Sequence, residues 1–248
     1  MASTSESGHA KNVATFEELI SSVTAYGSSY NPSKTALTLA ALQTVYTNAK
    51  TASSALISAI TANKNAAGAR EAAFKPLSKL ITRIFNALKA TDAPKKTIEN
   101  AQSLVRKLQG KRASAKLTDD EKQALINQGI DTKEISTSQM SFDNRIENFD
   151  SLIALLASTT EYAPNETDLQ VESLSTLSTE LKALNSAAIN TATQYNNALI
   201  ARNQILYAPD NGLFDVARDT KAYVKSVFGA SSPKYKQIAK LSFKNYKL

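Results

Sequence analysis

The stretch YNPSKTALTLAALQTVYTNAKTASSALISAITANKNAAGAR, residues 30–70, recurs without a gap as YAPNETDLQVESLSTLSTELKALNSAAINTATQYNNALIAR at residues 162–202, with 16 of 41 positions identical. Shared positions include Tyr30/Tyr162, Pro32/Pro164, Leu37/Leu169, Leu42/Leu174, Lys50/Lys182, Ile57/Ile189 and Arg70/Arg202. A self-match of this length points to an internal duplication. The prolines extend it: Pro32, Pro76 and Pro94 punctuate one half, and Pro164, Pro209 and Pro233 the other. Each half also carries Phe-acid-x-Leu-Ile, at Phe16 and at Phe149.

Inside the repeated stretch the apolar period is helical. Leu42, Val45, Ala49, Ala52, Leu56, Ala59, Asn63 and Ala66 fall on one heptad seam, matched by Leu174, Leu177, Leu181, Leu184, Ala188, Thr191, Tyr195 and Ala198. No proline interrupts 33–75 or 165–208. Each half is therefore expected to hold one helix of about 40 residues, roughly 60 Å long, with Ser33 and Asn165 as caps. Size exchanges at Ala49/Leu181, Ala52/Leu184, Leu56/Ala188 and Asn63/Tyr195 suggest that the two long helices pack on each other and fill one volume.

Working outward, Val13, Phe16, Leu19, Ile20 and Val23 predict an amphipathic helix ending near Gly27. Phe142, Ile146, Phe149, Ile153 and Leu156 predict its counterpart. Pro76 should break the chain before a third helix at 77–90, whose counterpart follows the turn Ala208-Pro-Asp-Asn-Gly212. Pro94 and Pro233 suit the first turn of a fourth helix, short and basic in the second half. The expected fold is all-α, an elongated antiparallel helical bundle built from two tandem repeats. The expected divisions are a disordered tail at 1–12, repeats at 13–110 and 138–248, and a linker at 111–137. A short helix at 118–128 inside that linker carries a capping box, Thr118-x-x-Glu121.

The net charge of +7 is uneven: residues 1–124 hold 17 basic and 9 acidic side chains, and residues 125–248 hold 12 and 13. Lys95, Lys96, Arg106, Lys107, Lys111 and Arg112 concentrate the excess. This basic segment reads either as a solvated helix end or as a contact for an anion. No run approaches the ~20 apolar residues of a membrane span, and Met1–Asn12 lacks the apolar centre of a secretory signal, so a cytoplasmic location is expected. Cysteine is absent, which excludes disulfides and thiol chemistry.

Little else speaks of catalysis. The one histidine, His9, falls in the expected tail, so histidine-based acid–base chemistry and multi-histidine metal sites are not expected. Glu17/Glu18 and Asp119/Asp120/Glu121 sit at helix starts, where the macrodipole accounts for them. Asp215 and Asp219 alternate with Arg218, Lys221 and Lys225 as an ion-paired helix surface. No phosphate-cradling glycine loop is present. No catalytic residue, metal or cofactor is assigned. Arg70 and Arg202, each in Asn-Ala-x-x-Ala-Arg, are either structural cations or paired anion sites. The uncharged face of Thr38, Thr44, Thr47, Thr51, Ser54, Ser58 and Thr61 would let copies of the chain, or another protein, approach closely.

Phe16-Glu-Glu-Leu-Ile20, Tyr30-Asn-Pro-Ser33, Ala69-Arg-Glu-Ala-Ala-Phe-Lys-Pro-Leu-Ser-Lys-Leu80 and Ser103-Leu-Val-Arg-Lys-Leu-Gln-Gly-Lys-Arg-Ala113 together resemble a group of bacterial, internally duplicated, all-helical proteins with no known activity. The resemblance covers most of the chain, and its first half more specifically. It implies no catalytic residue or cofactor. The functional expectation is a non-enzymatic structural or assembly-forming protein. The alternative is an anion-binding module that contacts nucleic acid or an acidic membrane surface through 95–116 and 234–247.

Overall fold

The computed structural model describes residues 4–111, 119–128 and 140–246, and these are helical with no strand. The helices are α1 Thr4–Thr24, α2 Leu39–Phe74, α3 Leu77–Lys89, α4 Lys95–Leu108, α5 Asp119–Asn127, α6 Phe142–Ala157, α7 Val171–Tyr207, α8 Leu213–Phe228 and α9 Pro233–Ala239. The two long helices run 36 and 37 residues. On them Leu42, Ala49 and Leu56, and likewise Leu174, Leu181 and Ala188, are buried at seven-residue steps, as the seam requires.

The chain divides into two compact units. One comprises Met1–Lys64 with Thr191–Leu248, and the other Asn65–Asn190. These cut across the expected repeats at 13–110 and 138–248, because α2 and α7 each contribute to both units. The first unit holds α1, the start of α2, the end of α7, α8 and α9 around Phe16, Leu19, Val23, Leu42, Leu206, Leu213 and Ile238. The second holds the end of α2, α3, α4, α5, α6 and the start of α7. Its core is built on Phe74, Ile81, Ile84, Leu108, Phe149, Leu152 and Leu174. Ala49 belongs to the first core and Leu181 to the second, so the size exchange between them does not fill one shared volume.

Burial registers coincide between the units. Val13, Phe16, Leu19, Ile20 and Val23 on α1 match Ile146, Phe149, Leu152, Ile153 and Leu156 on α6. Leu77, Ile81, Ile84 and Leu88 on α3 match Leu213, Ala217, Thr220 and Val224 on α8. Pro76 and Pro209 end the long helices as expected, since proline lacks the N–H that helix continuation needs.

Two expectations change. Ser33 and Asn165 do not cap the long helices, which begin only after 3-10 turns at Thr35–Leu37 and Thr167–Leu169. Those turns are held by buried tyrosines: Tyr30 donates its hydroxyl to the Leu37 carbonyl at 2.6 Å, and Tyr162 donates to that of Leu169 at 2.9 Å. In the first half Thr38 then caps α2, accepting the Ala41 N–H at 3.3 Å. Nor do residues 4–12 form a tail: they are the first turns of α1, tied down through Asn12. Within the linker, α5 lies where the short helix was expected. Thr118 of its capping box and residues 112–117 and 129–139 lie outside the described residues.

Candidate functional site

From Thr220 to Leu248 the sequence holds seven lysines, five aromatic residues and no carboxylate side chain. Helix α8 leads into this region with Phe214, Arg218, Lys221 and Lys225 at steps of four, three and four, which places them on one face. Its opposite face, Leu213, Val216, Ala217, Thr220 and Val224, is buried. Gly229 ends α8 at φ 82°, a conformation that favours glycine. Helix α9 then starts with Pro233 in its first turn, the Ser232 hydroxyl accepting the Tyr235 N–H at 3.1 Å, and buried Ile238 anchors it. Together α8, α9 and the segment after it form an open cleft of about 400 Å³. Phe214, Arg218, Lys221, Ala222, Lys225, Tyr235 and Phe243 line it.

Each cation in the cleft has a definite setting. Arg218 pairs with Asp215 at 2.8 Å and lies 3.5 Å from Asp219, whose carboxyl also takes Lys34 at 2.8 Å. The hydrogen bond from Lys34 holds the Asp219 carboxyl below the usual carboxylate range. Lys221 donates to the carbonyls of Ala239 at 3.3 Å and Leu241 at 2.9 Å, and burial pushes its ammonium pKa down. Lys225 stands 5.9 Å from the Tyr235 ring, and beyond the cleft Lys234 lies 4.4 Å over Phe228.

The wall carrying Phe243 is fixed from both sides. Lys221 holds Leu241, and the side chain of Asn12, only 2% exposed, brackets Lys244. Its Nδ2 donates to the Lys244 carbonyl at 2.7 Å and its Oδ1 accepts the Lys244 N–H at 3.0 Å. The same Nδ2 reaches the Tyr207 hydroxyl at 3.1 Å. His9 packs between Tyr207 and Tyr246, its Nδ1 2.6 Å from the Tyr207 hydroxyl. Gly8 makes room for Tyr246, because a Cβ there would come within 1.7 Å of the phenol oxygen. The result is a basic, ring-lined cleft with a held wall. Such chemistry suits a ligand that carries both negative charge and a flat apolar ring.

The residues singled out from sequence fall elsewhere. Arg70 has a structural setting in the second unit. Its guanidinium lies 4.0 Å over Phe142 and donates to Asn185 Oδ1 at 3.0 Å, while Asn185 donates to Asp143 at 2.7 Å. Arg202, 6% exposed, lines a cavity of about 230 Å³ in the first unit with His9, Ser53, Leu56 and Ile60. His9 and Ser53 occupy the positions that Phe142 and Asn185 hold in the other half, so the two arginines have different surroundings. Lys95, Lys96, Lys107 and Lys111 are exposed on or just after α4, and Arg106 is half-buried. Lys95 and Lys107 are about 18 Å apart along the helix, so these cations do not converge. Arg112 lies outside the described residues. Among the described residues, the basic C-terminal segment is helical only over Pro233–Ala239.

Of the expected ion-paired surface on α8, Arg218 makes its pairs, whereas Lys221 and Lys225 meet carbonyls and a ring instead. The cleft's signal was present in the sequence as lysines interleaved with aromatics and free of carboxylates from Thr220 onward. No family model, curated protein or solved structure matches the chain. Among the described residues no helix is long and apolar enough to cross a membrane.

Proposed function

We propose that this protein is a non-enzymatic, anion-binding helical protein whose contact surface is the α8–α9 cleft and the segment that follows it to Tyr246. The observation that carries this reading is the cleft of α8 and α9, lined by Lys221, Lys225 and Arg218, the last of them paired with Asp215 and Asp219 beside it. Lys236, Lys240 and Lys244 stand exposed on the adjoining segment and extend the positive field. Lysine and arginine contacts to a polyanion release counterions, so binding of this kind weakens steeply with salt. The test is retention on immobilised heparin against a salt gradient. The native protein should elute late, and replacing Lys225, Lys236 and Lys240 together by Gln should advance elution while the helical circular dichroism stays unchanged. Passage of the native protein through the column at low salt would refute the reading.

The second reading is a structural or self-associating role in an elongated antiparallel bundle of two tandem repeats, located in the cytoplasm. Ile57 and Ile189, at matching positions on the long helices, are 65% and 49% exposed. Thr44, Thr47, Thr51, Ser54, Ser58 and Thr61 are exposed on the same helix as the first of them. Concentration-dependent growth of the sedimentation coefficient, abolished by Ile57→Lys with Ile189→Lys, would favour this role over a monomeric one.

A further inference from the structure

Resting on the anion-binding reading, we infer that the α8–α9 cleft is a site for single-stranded nucleic acid, holding an unpaired base among Phe214, Tyr235 and Phe243 with the flanking phosphates on its lysines. The cleft measures about 400 Å³, within the range of sites that enclose a small planar group. Three of its lining side chains are aromatic and all three are half-buried, so each is anchored by its own packing and offers its remaining surface to the cleft. Rings held this way stack bases of any identity, and adjacent cations follow the backbone.

Two features favour a single strand over other polyanions. A duplex keeps its bases stacked inside, out of reach of recessed rings, whereas a single strand can place a base in a cleft. A membrane offers a broad face of headgroups and makes no use of rings set into a cleft. The wall is also assembled in advance. Lys221 fixes Leu241, and Asn12 fixes Lys244, so Phe243 is positioned between two tethers. A preformed wall lowers the ordering cost of binding.

Fluorescence anisotropy of a labelled 15-nucleotide oligothymidylate tests the inference with the full chain at low salt, beside an abasic oligonucleotide of equal length and a vesicle rich in phosphatidylserine. The thymidylate should bind more tightly than the abasic strand. Phe243→Ala and Tyr235→Ala should each weaken thymidylate binding about 5- to 150-fold, corresponding to ~1–3 kcal/mol for a stacked base, and leave abasic binding unchanged. Phe243→Tyr and Tyr235→Phe should retain the affinity, which separates loss of stacking from loss of folding. Equal affinity for the abasic strand, or tight vesicle binding without thymidylate binding, would overturn the base-stacking site while leaving the anion-binding reading intact. Absence of binding to all three probes and to heparin would overturn both.

Discussion

Arg83 on α3 donates to both carboxylate oxygens of Asp168, in the 3-10 turn that precedes α7. The burial register of α3 and α8 places Asp219 where α3 has Arg83, and Asp219 pairs with Lys34, just before the matching turn. The polarity is inverted between the two units. Had each sequence half closed its own turn onto its own helix, Lys34 would meet Arg83 and Asp168 would meet Asp219. Like charges oppose that arrangement, and the two opposite-charge pairs favour units drawn from both halves.

Asp168→Lys should therefore lower the thermal midpoint by a few degrees at low ionic strength, with the deficit shrinking in 1 M salt because exposed pairs are screened. Combining it with Arg83→Asp should recover most of the loss. A deficit that ignores salt, or that the second change deepens, would mean that charge does not guide the pairing.

Tyr30 and Tyr162 give the turns a pH dependence. Burial pushes both phenols up to about 12, from 10.0 in the unfolded chain. Their contribution is intact below pH 10 and is lost as pH rises through 10 toward about 12, because the unfolded chain releases these protons first. Denaturant midpoints measured from pH 8 to 12 should fall over that window. Replacing both tyrosines by Phe should flatten the fall, and an unchanged slope would show that other groups dominate.

Asn12→Ala removes three hydrogen bonds that join α1 to Tyr207 and Lys244. Buried polar groups left unmatched cost about 1–3 kcal/mol, so the variant should lose stability on that scale. The sharper signature is local: the Lys244 amide should exchange with solvent faster than in the native protein while amides in α3 are unaffected.

Arg70→Gln tests the structural setting of the repeated arginine. The change removes the stack on Phe142 and leaves Asn185, 4% exposed, without its donor. A destabilisation of about 1–3 kcal/mol in urea is expected, with heparin elution unchanged. Earlier elution of a folded Arg70→Gln protein would instead give this residue a part in anion binding.

Much of the helical plan was legible because it rests on local rules. The apolar period of Leu77, Ile81, Ile84 and Leu88 and the break at Pro76 both appear in the structure as expected. The composition of the units was not legible, since two similar halves offer the same apolar faces to either partner and only features such as Lys34 and Asp219 distinguish them. The helix starts were displaced for a similar reason: Ser33 and Asn165 look like caps, but the bonds from Tyr30 and Tyr162 depend on tertiary burial. At the site, charge was legible over 234–247. The contribution of α8 was hidden by Asp215 and Asp219, which made its lysines look ion-paired, and that of Asn12 by sequence separations of 195 and 232 from its partners.

The most direct test of the nucleic-acid site is the salt dependence of oligothymidylate affinity for the native protein and for Lys225→Gln. Each phosphate contact on a single strand contributes about 0.7 to the slope of log K against log salt. The native protein should show a steep negative slope, and Lys225→Gln should reduce it by about 0.7. Identical slopes for the two proteins, or no measurable affinity at low salt, would contradict the assignment of the cleft.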